Sequence, residues 1–558
     1  MLPCLIFEDD HLLVVNKPAG LNTHAPSPYA GEGLYDWLRH REPRWASLAI
    51  IHRLDKETSG LLVFAKTRLA CQSLTHQFAG RAVSKRYLLL TDRKVPDRQL
   101  DIRSALVRVG DKYLSRPIRA GTEIAETRFR IPTEADAGPA LPNPGGHHLL
   151  VAEPLTGRTH QIRVHAADQG FPILGDKLYG GSHSKRVYLH AAWLTLKHPA
   201  SGLDMTFHAP PNFEAEPRSA LRAALLDTKT TTAWRLIHGA SDGWPGWYVD
   251  RLGDYLLSQS EQPLSREHRE ELERLARTFS ARGAYHKTLS RDLRRKDPAQ
   301  ASPALEFGEP APAAFSIREN GLEFELSFDE GYSVGLFLDQ RDNRRHLLAG
   351  HIAAGFALRN SEFKPPAPAN APKPLADPCD PFLQPWGLLN TFAYTCGFSV
   401  CAAKAGAKTT SLDLSRKYLD WGRRNFVLNQ LDSAQHDFIY GDVFEWLRRL
   451  AKKARQFDVI LLDPPTFSQS KQSGVFRARQ DYGDLAKAAL PLLRPKGVLF
   501  ASCNAADWPA EEFVAAVKAP IIAVKRAILQ EHYVPQPPDF PISRLQPAYL
   551  KSLWLRIE

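Results

Sequence analysis

The sequence contains little cysteine and no long apolar run. Its 558 residues include six cysteines, at positions 4, 71, 379, 396, 401 and 503, and no two of them form a C-x-x-C pair. Zinc-ribbon and thioredoxin-like sites therefore gain no support, and few unpaired cysteines are typical of a reducing compartment. No stretch approaches 18 consecutive apolar residues, and residues 1–10 lack a basic region. These absences argue against a membrane-spanning helix and a secretory signal, and we expect a cytoplasmic protein.

The charge balance favours a polyanionic partner. Lys and Arg number 72 against 61 Asp and Glu, which gives a formal net charge of +11. A cationic surface most commonly serves nucleic acid, although it can also act for solubility alone. With 43% hydrophobic and 24% charged residues the chain is typical of globular protein. Its length predicts about three or four domains of roughly 150 residues each.

The pattern along the chain predicts a multidomain protein with two different fold types. Residues 1–211 carry short β-type runs punctuated by turn residues, which predicts an α+β domain with a mostly antiparallel sheet. Residues 212–230 are expected to be a linker, and residues 231–310 a small α+β domain. Residues 311–558 alternate apolar runs with amphipathic helices, which predicts an α/β domain with a parallel sheet. Eight prolines among the 26 residues 361–386 indicate an extended insertion.

Four motifs occur in order within the first 211 residues. They read KPAGL at 17–21, HRLDKETSG at 52–60, KRY at 85–87 and TGRTHQIRVH at 156–165. Together they resemble the RluA-type pseudouridine synthases, which detach uracil from its ribose and rejoin it through carbon 5 without a metal or an organic cofactor. The resemblance implies that Asp55 is the nucleophile and that the ring of Tyr87 packs on the target base. It also implies that Arg163 pairs with Asp55 and keeps that carboxylate ionised.

Each of these residues has a plainer interpretation when taken alone. An Arg-Leu-Asp sequence is most often an exposed ion-pairing loop, and a tyrosine after Lys-Arg is most often a half-buried strand residue. His160 and His165 have a spacing that could suit a metal on a helix. We expect no metal there, because no third ligand is apparent and the segment 156–165 is expected to be a strand.

Residues 231–558 resemble the ribosomal large-subunit methyltransferases that use S-adenosylmethionine. The resemblance is carried by RLIHG at 235–239, DGWPG at 242–246, GLFLDQRDNR at 335–344 and NTFAYTCGFS at 390–399. It implies that a small central domain precedes a Rossmann-like class I methyltransferase domain, and that the cofactor is S-adenosyl-L-methionine.

The expected cofactor site lies at the carboxyl ends of the parallel strands, where open α/β sheets bind ligands. Asp413, after the second strand, is expected to bind the ribose hydroxyls, and Asp442 to meet the adenine amino group. Cys396 stands where relatives often have a second glycine. The remaining cofactor-binding candidates lie in the loop after the first strand and at the entrance of the site: Phe392, Tyr394, Gly397, Gln340 and Arg341.

The expected target-base pocket contains Asp463 and Cys503. Asp463 opens the DPPTF segment at 463–467, and it borders both the base and the cofactor. In the cytosine-carbon-5 enzymes that this half resembles, a cysteine at the place of Cys503 attacks carbon 6 of the base, and a site of this kind must lower the pKa of the thiol. A cysteine at a strand end is otherwise a small buried residue. A purine-modifying sister family shares the Asp-Pro-Pro segment without the cysteine, so guanine stays an alternative target.

The sequence therefore predicts a bifunctional RNA-modifying enzyme that forms pseudouridine and methylates a base. Because the two activities are fused in one chain, we expect both targets to lie in one RNA, by analogy large-subunit ribosomal RNA. One rival is an RNA-binding assembly factor in which one or both sites are idle. Another is a synthase whose second half only recruits RNA.

Overall fold

The residues of the chain group into two units. The computed structural model describes residues 2–31, 33–95, 99–133, 136, 146–289, 302–331, 333–359, 386–470 and 474–558. The first unit comprises Met1–Pro26, Glu32–Arg39 and Ser47–Asp227, and the second comprises Ser27–Gly31, His40–Ala46 and Thr228–Glu558. The proline-rich insertion expected at 361–386 lies, apart from Trp386, outside the described residues.

The regular elements follow one another along the chain. The strands are β1 Leu5–Glu8, β2 Leu12–Lys17, β3 Ala49–Ile50, β4 Ser59–Ala65, β5 Ser84–Thr91, β6 Gln99–Val109, β7 Lys112–Arg116, β8 Ile124–Arg130, β9 His148–Pro154, β10 Leu189–Lys197, β11 Asp204–His208, β12 Ala233–His238, β13 Trp247–Leu252, β14 Tyr255–Ser260, β15 Gly283–Thr288, β16 Ala304–Gly308, β17 Phe315–Glu319, β18 Leu322–Leu326, β19 His351–Ala353, β20 Phe356–Ala357, β21 Gly387–Thr391, β22 Lys408–Asp413, β23 Asp437–Tyr440, β24 Phe457–Leu462, β25 Phe467–Ser470, β26 Gly474–Arg477, β27 Leu493–Cys503, β28 Ile528–Val534 and β29 Lys551–Ile557. The helices are α1 Leu34–Arg41, α2 Arg68–Ala79, α3 Gln161–Asp168, α4 Pro217–Leu225, α5 Arg266–Thr278, α6 Arg341–Ala349, α7 Gly397–Lys404, α8 Arg416–Leu428, α9 Val443–Lys452, α10 Ala478–Ala489 and α11 Ala510–Ala523.

A mixed sheet forms the frame of the first unit. Its described part has eleven strands, in the order β1-β2-β4-β10-β5-β9-β8-β6-β7, with β3 on β4 and β11 on β10. All these pairings are antiparallel except that of β4 with β10. Strand β4 is buried along its whole length, whereas β8 alternates buried and half-buried residues as a strand with one covered face does. The predicted α+β fold with a mostly antiparallel sheet is confirmed.

The parallel contact between β4 and β10 depends on one glycine. Gly60 has a φ of +118°, and a Cβ at this position would lie 2.3 Å from the carbonyl oxygen of Ala191 on β10. Only glycine permits both the conformation and the close approach. The glycine at the end of the HRLDKETSG motif therefore seats β4 against β10, directly after the loop that carries Asp55.

The segment 212–230, which was expected to be a linker, contains a helix that belongs to the first unit. Glu216 caps α4 by accepting hydrogen bonds from the backbone amides of Arg218 and Ser219, and Pro217 occupies the first helical position. Leu225 and the following Leu226 are buried. The polar composition therefore concealed a helix that packs through its last turn.

The expectation of a strand at 156–165 is wrong, because these residues form a turn followed by α3. The alternation of Ile162 and Val164 with polar residues resembled a strand of period two. The intervening Arg163 and His165 are themselves buried, because each has buried hydrogen-bond partners. Polar residues here did not mark a solvent-facing side, so the period carried no information about the backbone.

The second unit begins with a small domain of five described strands. The order is β12-β13-β14-β15-β16, and the parallel pair β14 and β15 is connected through α5. Helix α5 begins after Ser265, which forms a capping box with His268. The hairpin β17–β18 follows and leads to the site-entrance segment before α6.

A seven-stranded sheet of the described residues forms the rest of the second unit, in the order β23-β22-β21-β24-β27-β29-β28. The first five strands are parallel, and β29 and β28 are antiparallel to their neighbours. The predicted Rossmann-like sheet is confirmed, with two antiparallel strands added at one edge. Its carboxyl edge collects the ends of β21, β22, β24 and β27, which is where the sequence placed the cofactor and base residues.

Two candidate active sites

Asp55 lies in the loop between β3 and β4, and Arg163 on α3 reaches it. The guanidinium Nη1 of Arg163 is 3.3 Å from Asp55 Oδ2 and 3.4 Å from Glu57 Oε2. The side chain of Asp55 is 24% exposed and that of Arg163 only 3%. The structure thus brings together the predicted nucleophile and its predicted counter-charge.

Asp176 binds the other side of the Arg163 guanidinium, and no sequence motif pointed to this residue. Its two carboxylate oxygens accept hydrogen bonds from Nε at 2.6 Å and from Nη2 at 2.9 Å, and its side chain is 1% exposed. Burial alone would lower the pKa of Arg163, but the carboxylates of Asp176, Asp55 and Glu57 raise that pKa above the ordinary value. Asp176 is therefore a positioning residue that aims Arg163 at Asp55.

Main-chain contacts on both sides fix the loop that carries Asp55. The ammonium of Lys17, at the end of β2, donates to the carbonyl oxygens of Pro18, Leu21 and Lys56 at 2.9, 2.7 and 3.3 Å. Thr23 exchanges two hydrogen bonds with the backbone of Leu54. Burial lowers the pKa of Lys17 to about 7. Lys17 of the KPAGL motif thus tethers Lys56 on one side of the nucleophile, and Thr23 tethers Leu54 on the other.

A cleft of about 870 Å³ opens beside Asp55. Tyr87 on β5 lines it and is largely buried, and this burial raises the pKa of the phenol. A neutral aromatic ring beside a carboxylate can pack on a planar base that is held next to Asp55. Asp55 can act as a nucleophile towards a nucleotide in this cleft without a metal ion.

The two histidines of the TGRTHQIRVH motif have separate partners. His160 Nδ1 lies 2.7 Å from the hydroxyl of Tyr179, and its Nε2 lies 3.9 Å from Asp55. His165 is buried and contacts the hydroxyls of Ser104 and Thr127. Across the described residues, no group of three or more His, Cys, Asp or Glu side chains could hold a metal ion.

The loop after β21 in the second unit has an unusual backbone. Phe392, Tyr394 and Cys396 have φ values of +54°, +49° and +62°, in the left-handed region that residues other than glycine rarely adopt. Asp413, at the end of β22, accepts hydrogen bonds from the backbone amides of Tyr394 and Ser415, both at 2.8 Å. Burial raises the pKa of Asp413. Strain of this kind persists where the surroundings impose it, which is common at ligand sites.

A cavity of about 470 Å³ lies next to this loop. Phe392, Leu414, Asp442 and Phe444 line it, and Asp442 also caps α9 by accepting a hydrogen bond from the amide of Glu445 at 3.1 Å. Apolar rings with one carboxylate suit an adenine ring and its amino group. The described residues therefore fit the adenosine part of S-adenosylmethionine, and this cofactor supplies the methyl group when bound.

Gln340 connects the ends of β24 and β27. Its amide nitrogen donates to Asp463 Oδ2 at 3.2 Å and to the hydroxyl of Ser502 at 2.8 Å, and its oxygen accepts from Asn343 at 2.7 Å. Burial, together with the nearby Asp339, raises the pKa of Asp463 to about 7. Asp463 can therefore donate or accept a proton near neutral pH.

Cys503, the expected second nucleophile, is 0% exposed. Its sulfur accepts a weak hydrogen bond from the amide of Ala505 at 3.5 Å. Burial raises the pKa of the thiol, and only the charge of Lys551 and this amide act in the opposite direction. The structure thus puts Cys503 one residue beyond Ser502 and close to Asp463, but in a thiol form rather than an activated thiolate.

Arg341 and Gly397 have structural contacts in the described residues. The guanidinium of Arg341 forms a buried pair with Asp539, at 2.5 and 3.0 Å, instead of lining the described cavity. A Cβ on Gly397 would lie 2.9 Å from Leu336 Cδ1, so this glycine allows α7 to approach the site-entrance segment.

Within the ranges that the structure describes, no helix is long and apolar enough to cross a bilayer.

Comparison with known proteins assigns both halves. Residues 11–168 match the RNA pseudouridylate synthase family, and residues 385–556 match the S-adenosylmethionine-dependent methyltransferase family. A Yersinia pestis protein named ribosomal large subunit pseudouridine synthase C is 37% identical over 219 residues, which cover 37% of this chain and 65% of that protein. A Shewanella denitrificans protein named ribosomal RNA large subunit methyltransferase I is 30% identical over 408 residues, which cover 71% of this chain and 93% of that protein.

A solved structure is also similar to part of this chain. The protein SMU.776, a methyltransferase complexed with S-adenosylhomocysteine, is 26% identical with a TM-score of 0.49, covering 65% of this chain and 86% of that chain. The family matches confirm the predicted pair of enzymes, an RNA pseudouridine synthase followed by an RNA methyltransferase. They also confirm S-adenosylmethionine as the methyl donor of the second half.

Proposed function

Because the chain belongs to the ribosomal RNA large subunit methyltransferase family and also carries a pseudouridine synthase domain, we propose that it modifies two bases of large-subunit ribosomal RNA in the bacterial cytosol. In this proposal the first unit converts a uridine to pseudouridine. The second unit methylates a cytosine at carbon 5. The names of the relatives support the choice of RNA, since both describe enzymes of the large ribosomal subunit.

The contact between Asp55 and Arg163 is the observation on which the proposed formation of pseudouridine rests. Asp55 is the only carboxylate among the described lining residues of its cleft, against six Lys and Arg side chains. Phosphate oxygens of RNA can neutralise those cations, whereas a neutral substrate cannot. A uridine must leave its base stack to reach Asp55, which favours loops and unpaired regions as targets.

The position of Cys503 supports cytosine as the methylated base. Leu462 and Ala501 are paired neighbours on the parallel strands β24 and β27, and Asp463 and Ser502 follow them. Cys503 directly follows Ser502, and the side chains of Ser502 and Asp463 both accept hydrogen bonds from Gln340. Attack of this sulfur, as the thiolate, on carbon 6 would form a C–S bond and make carbon 5 nucleophilic, and S-adenosylmethionine would supply the methyl group at carbon 5. Loss of the carbon-5 proton to a base and cleavage of the C–S bond would then restore the ring and the thiolate.

The burial of Cys503 favours guanine as the second candidate. A thiol whose pKa is raised by burial is a poor nucleophile until its surroundings change. A carboxylate such as Asp463, when ionised, can accept hydrogen bonds from the N–H groups at the Watson–Crick edge of guanine. In that case Cys503 would be a core residue.

Replacement of the two nucleophiles separates these alternatives. We expect Asp55→Ala to abolish pseudouridine formation and leave methylation intact, and Cys503→Ala to abolish methylation and leave pseudouridine formation intact. Mass spectrometry of large-subunit RNA from a deletion strain complemented with each variant measures both products. Full methylation by a folded Cys503→Ala protein would exclude the cytosine mechanism.

Two controls complete this experiment. Cys401→Ala removes another buried thiol of the same domain, on α7, and should change neither product. Tritiated S-adenosylmethionine binding to Cys503→Ala shows whether the cofactor site survives. Loss of both products in a folded Asp55→Ala protein would contradict the assignment of two separate sites.

A further inference from the structure

Lys85 is a largely enclosed cation that has no counter-charge among the residues that the structure describes. It lies on β5, lines the Asp55 cleft and is only partly accessible to solvent. Among the described residues its ammonium has no ion pair or hydrogen bond, and its Nζ lies 5.8 Å from the centroid of the Phe78 ring. An enclosed charge without a partner is unfavourable, so an unpaired ammonium at this place requires a reason.

The strand geometry aims Lys85 into the cleft. Side chains two residues apart lie on the same face of a strand, so Lys85 and Tyr87 face the same way. Arg86, between them, pairs with Asp136 at 2.9 Å and packs over the ring of Trp193. A Cβ added to Gly157 would lie 3.8 Å from Lys85 Nζ, so the ammonium stands above the turn that precedes α3.

The other cations of the cleft are either paired or exposed. Arg163, Arg158 and Arg81 each have a carboxylate within 4 Å, namely Asp55, Glu123 and Glu126, respectively. The side chains of Arg53 and Lys56 are exposed and can be hydrated by water. Lys85 has neither kind of compensation in the described part of the chain.

We propose that Lys85 binds a backbone phosphate of the RNA, next to the uridine that Asp55 attacks. The ammonium donates to a non-bridging phosphate oxygen, and this contact provides the missing counter-charge. Burial lowers the pKa of Lys85, and a bound phosphate would offset that effect. The proposal rests on the assignment of RNA as the substrate of this unit, and it adds the residue that holds the strand beside the target base.

The salt dependence of binding tests this contact. The full-length protein is titrated with a short fluorescent poly(U) strand over a range of salt concentrations. Lys85→Gln should weaken binding roughly tenfold at low salt, as expected for a charge-assisted hydrogen bond. It should also reduce the slope of log K against log salt by about 0.7, the value for one phosphate contact on a single strand.

Matched variants distinguish a phosphate contact from a structural role. Lys85→Arg should keep the wild-type slope. Lys197→Gln removes the same charge from an exposed pair with Asp204 on the same unit, and should bind as the wild type does. Lys85→Met should weaken RNA binding yet raise the Tm of the RNA-free protein, because it removes an uncompensated charge.

The RNA affinity and the salt slope of the Lys85 variants decide whether Lys85 contacts a phosphate. A Lys85→Gln protein with the affinity and slope of wild type overturns the proposal, and so does a Lys85→Met protein that binds normally. Pseudouridine formation on large-subunit ribosomal RNA is measured in parallel. If the wild type forms none, the proposed substrate is wrong, whereas the poly(U) slope still decides the phosphate contact.

Discussion

Replacement of Asp176 by asparagine tests whether this residue positions Arg163. The wild-type carboxylate accepts two hydrogen bonds from a guanidinium that is 3% exposed. Asparagine has nearly the same shape, but it removes the charge and offers one oxygen instead of two. The substitution therefore breaks a buried ion pair with little change in volume.

The structure allows the effect to be worked out. Breaking a buried pair by removing one partner costs about 3–5 kcal/mol of stability. Arg163 keeps Asp55 and Glu57 as partners, so we expect about 3 kcal/mol. If the guanidinium then loses its aim at Asp55, one charge-assisted hydrogen bond of about 1.5–3 kcal/mol is lost from the site. That corresponds to a fall in the rate of pseudouridine formation of about 10- to 100-fold.

Single-turnover release of tritium from carbon-5-labelled uridine RNA measures the rate, and urea unfolding measures the stability. The control is Asp204→Asn, which removes the same charge from the exposed pair with Lys197 and should change neither quantity measurably. An Asp176→Asn protein that loses stability but keeps the wild-type rate would show that Asp176 is structural only. Unchanged stability would refute the reasoning about the buried pair.

Two further predictions concern the methyltransferase half. A Cβ on Gly422 would lie 2.4 Å from Cys396 Sγ, so Gly422→Ala should displace the loop after β21 and weaken S-adenosylhomocysteine binding by about tenfold or more in calorimetry. Gly483 is also helical, but the nearest atom to its added Cβ is 3.7 Å away, so Gly483→Ala should keep the affinity and gain about 0.5–1 kcal/mol of stability. Equal affinities of the two variants would contradict the role of this contact. Because burial raises the pKa of Asp463 to about 7, the folded protein should lose stability relative to Asp463→Asn as pH rises from about 4 to 7. The difference in the free energy of unfolding should reach at most about 4 kcal/mol and stay constant above pH 8. Scanning calorimetry of both proteins at several pH values measures this difference. A parallel pH dependence of the two Tm values would contradict the prediction.

The motifs predicted most of the first site because the chemistry is carried by residues of fixed type. Asp55, Tyr87 and Arg163 were all placed beside one cleft by the structure. Asp176 could not be found in the same way, since an isolated aspartate after an apolar run has many uses. Lys17 was noted as part of a motif, but its hydrogen bond to the backbone of Lys56, next to Asp55, depends on three-dimensional contacts.

The fold of the second half followed from periodicity, while local geometry did not. Alternating strands and helices predicted the parallel sheet, because buried parallel strands read as continuous apolar runs. The burial of Cys503 and the pairing of Arg341 with Asp539 depend on residues more than 40 positions away, such as Lys551 and Asp539 itself. The strand assigned to 156–165 failed because buried polar side chains imitate an exposed face.

The loop of Phe392, Tyr394 and Cys396 has a consequence for how this enzyme tolerates heat. Three non-glycine residues in left-handed conformations cost about 1–2 kcal/mol each. Selection for thermal stability alone would be expected to place glycine at these positions, because glycine would relax the backbone. Glycine at position 392 would also remove the ring of Phe392 from the wall of the cavity, so stability and the shape of the cavity oppose each other there.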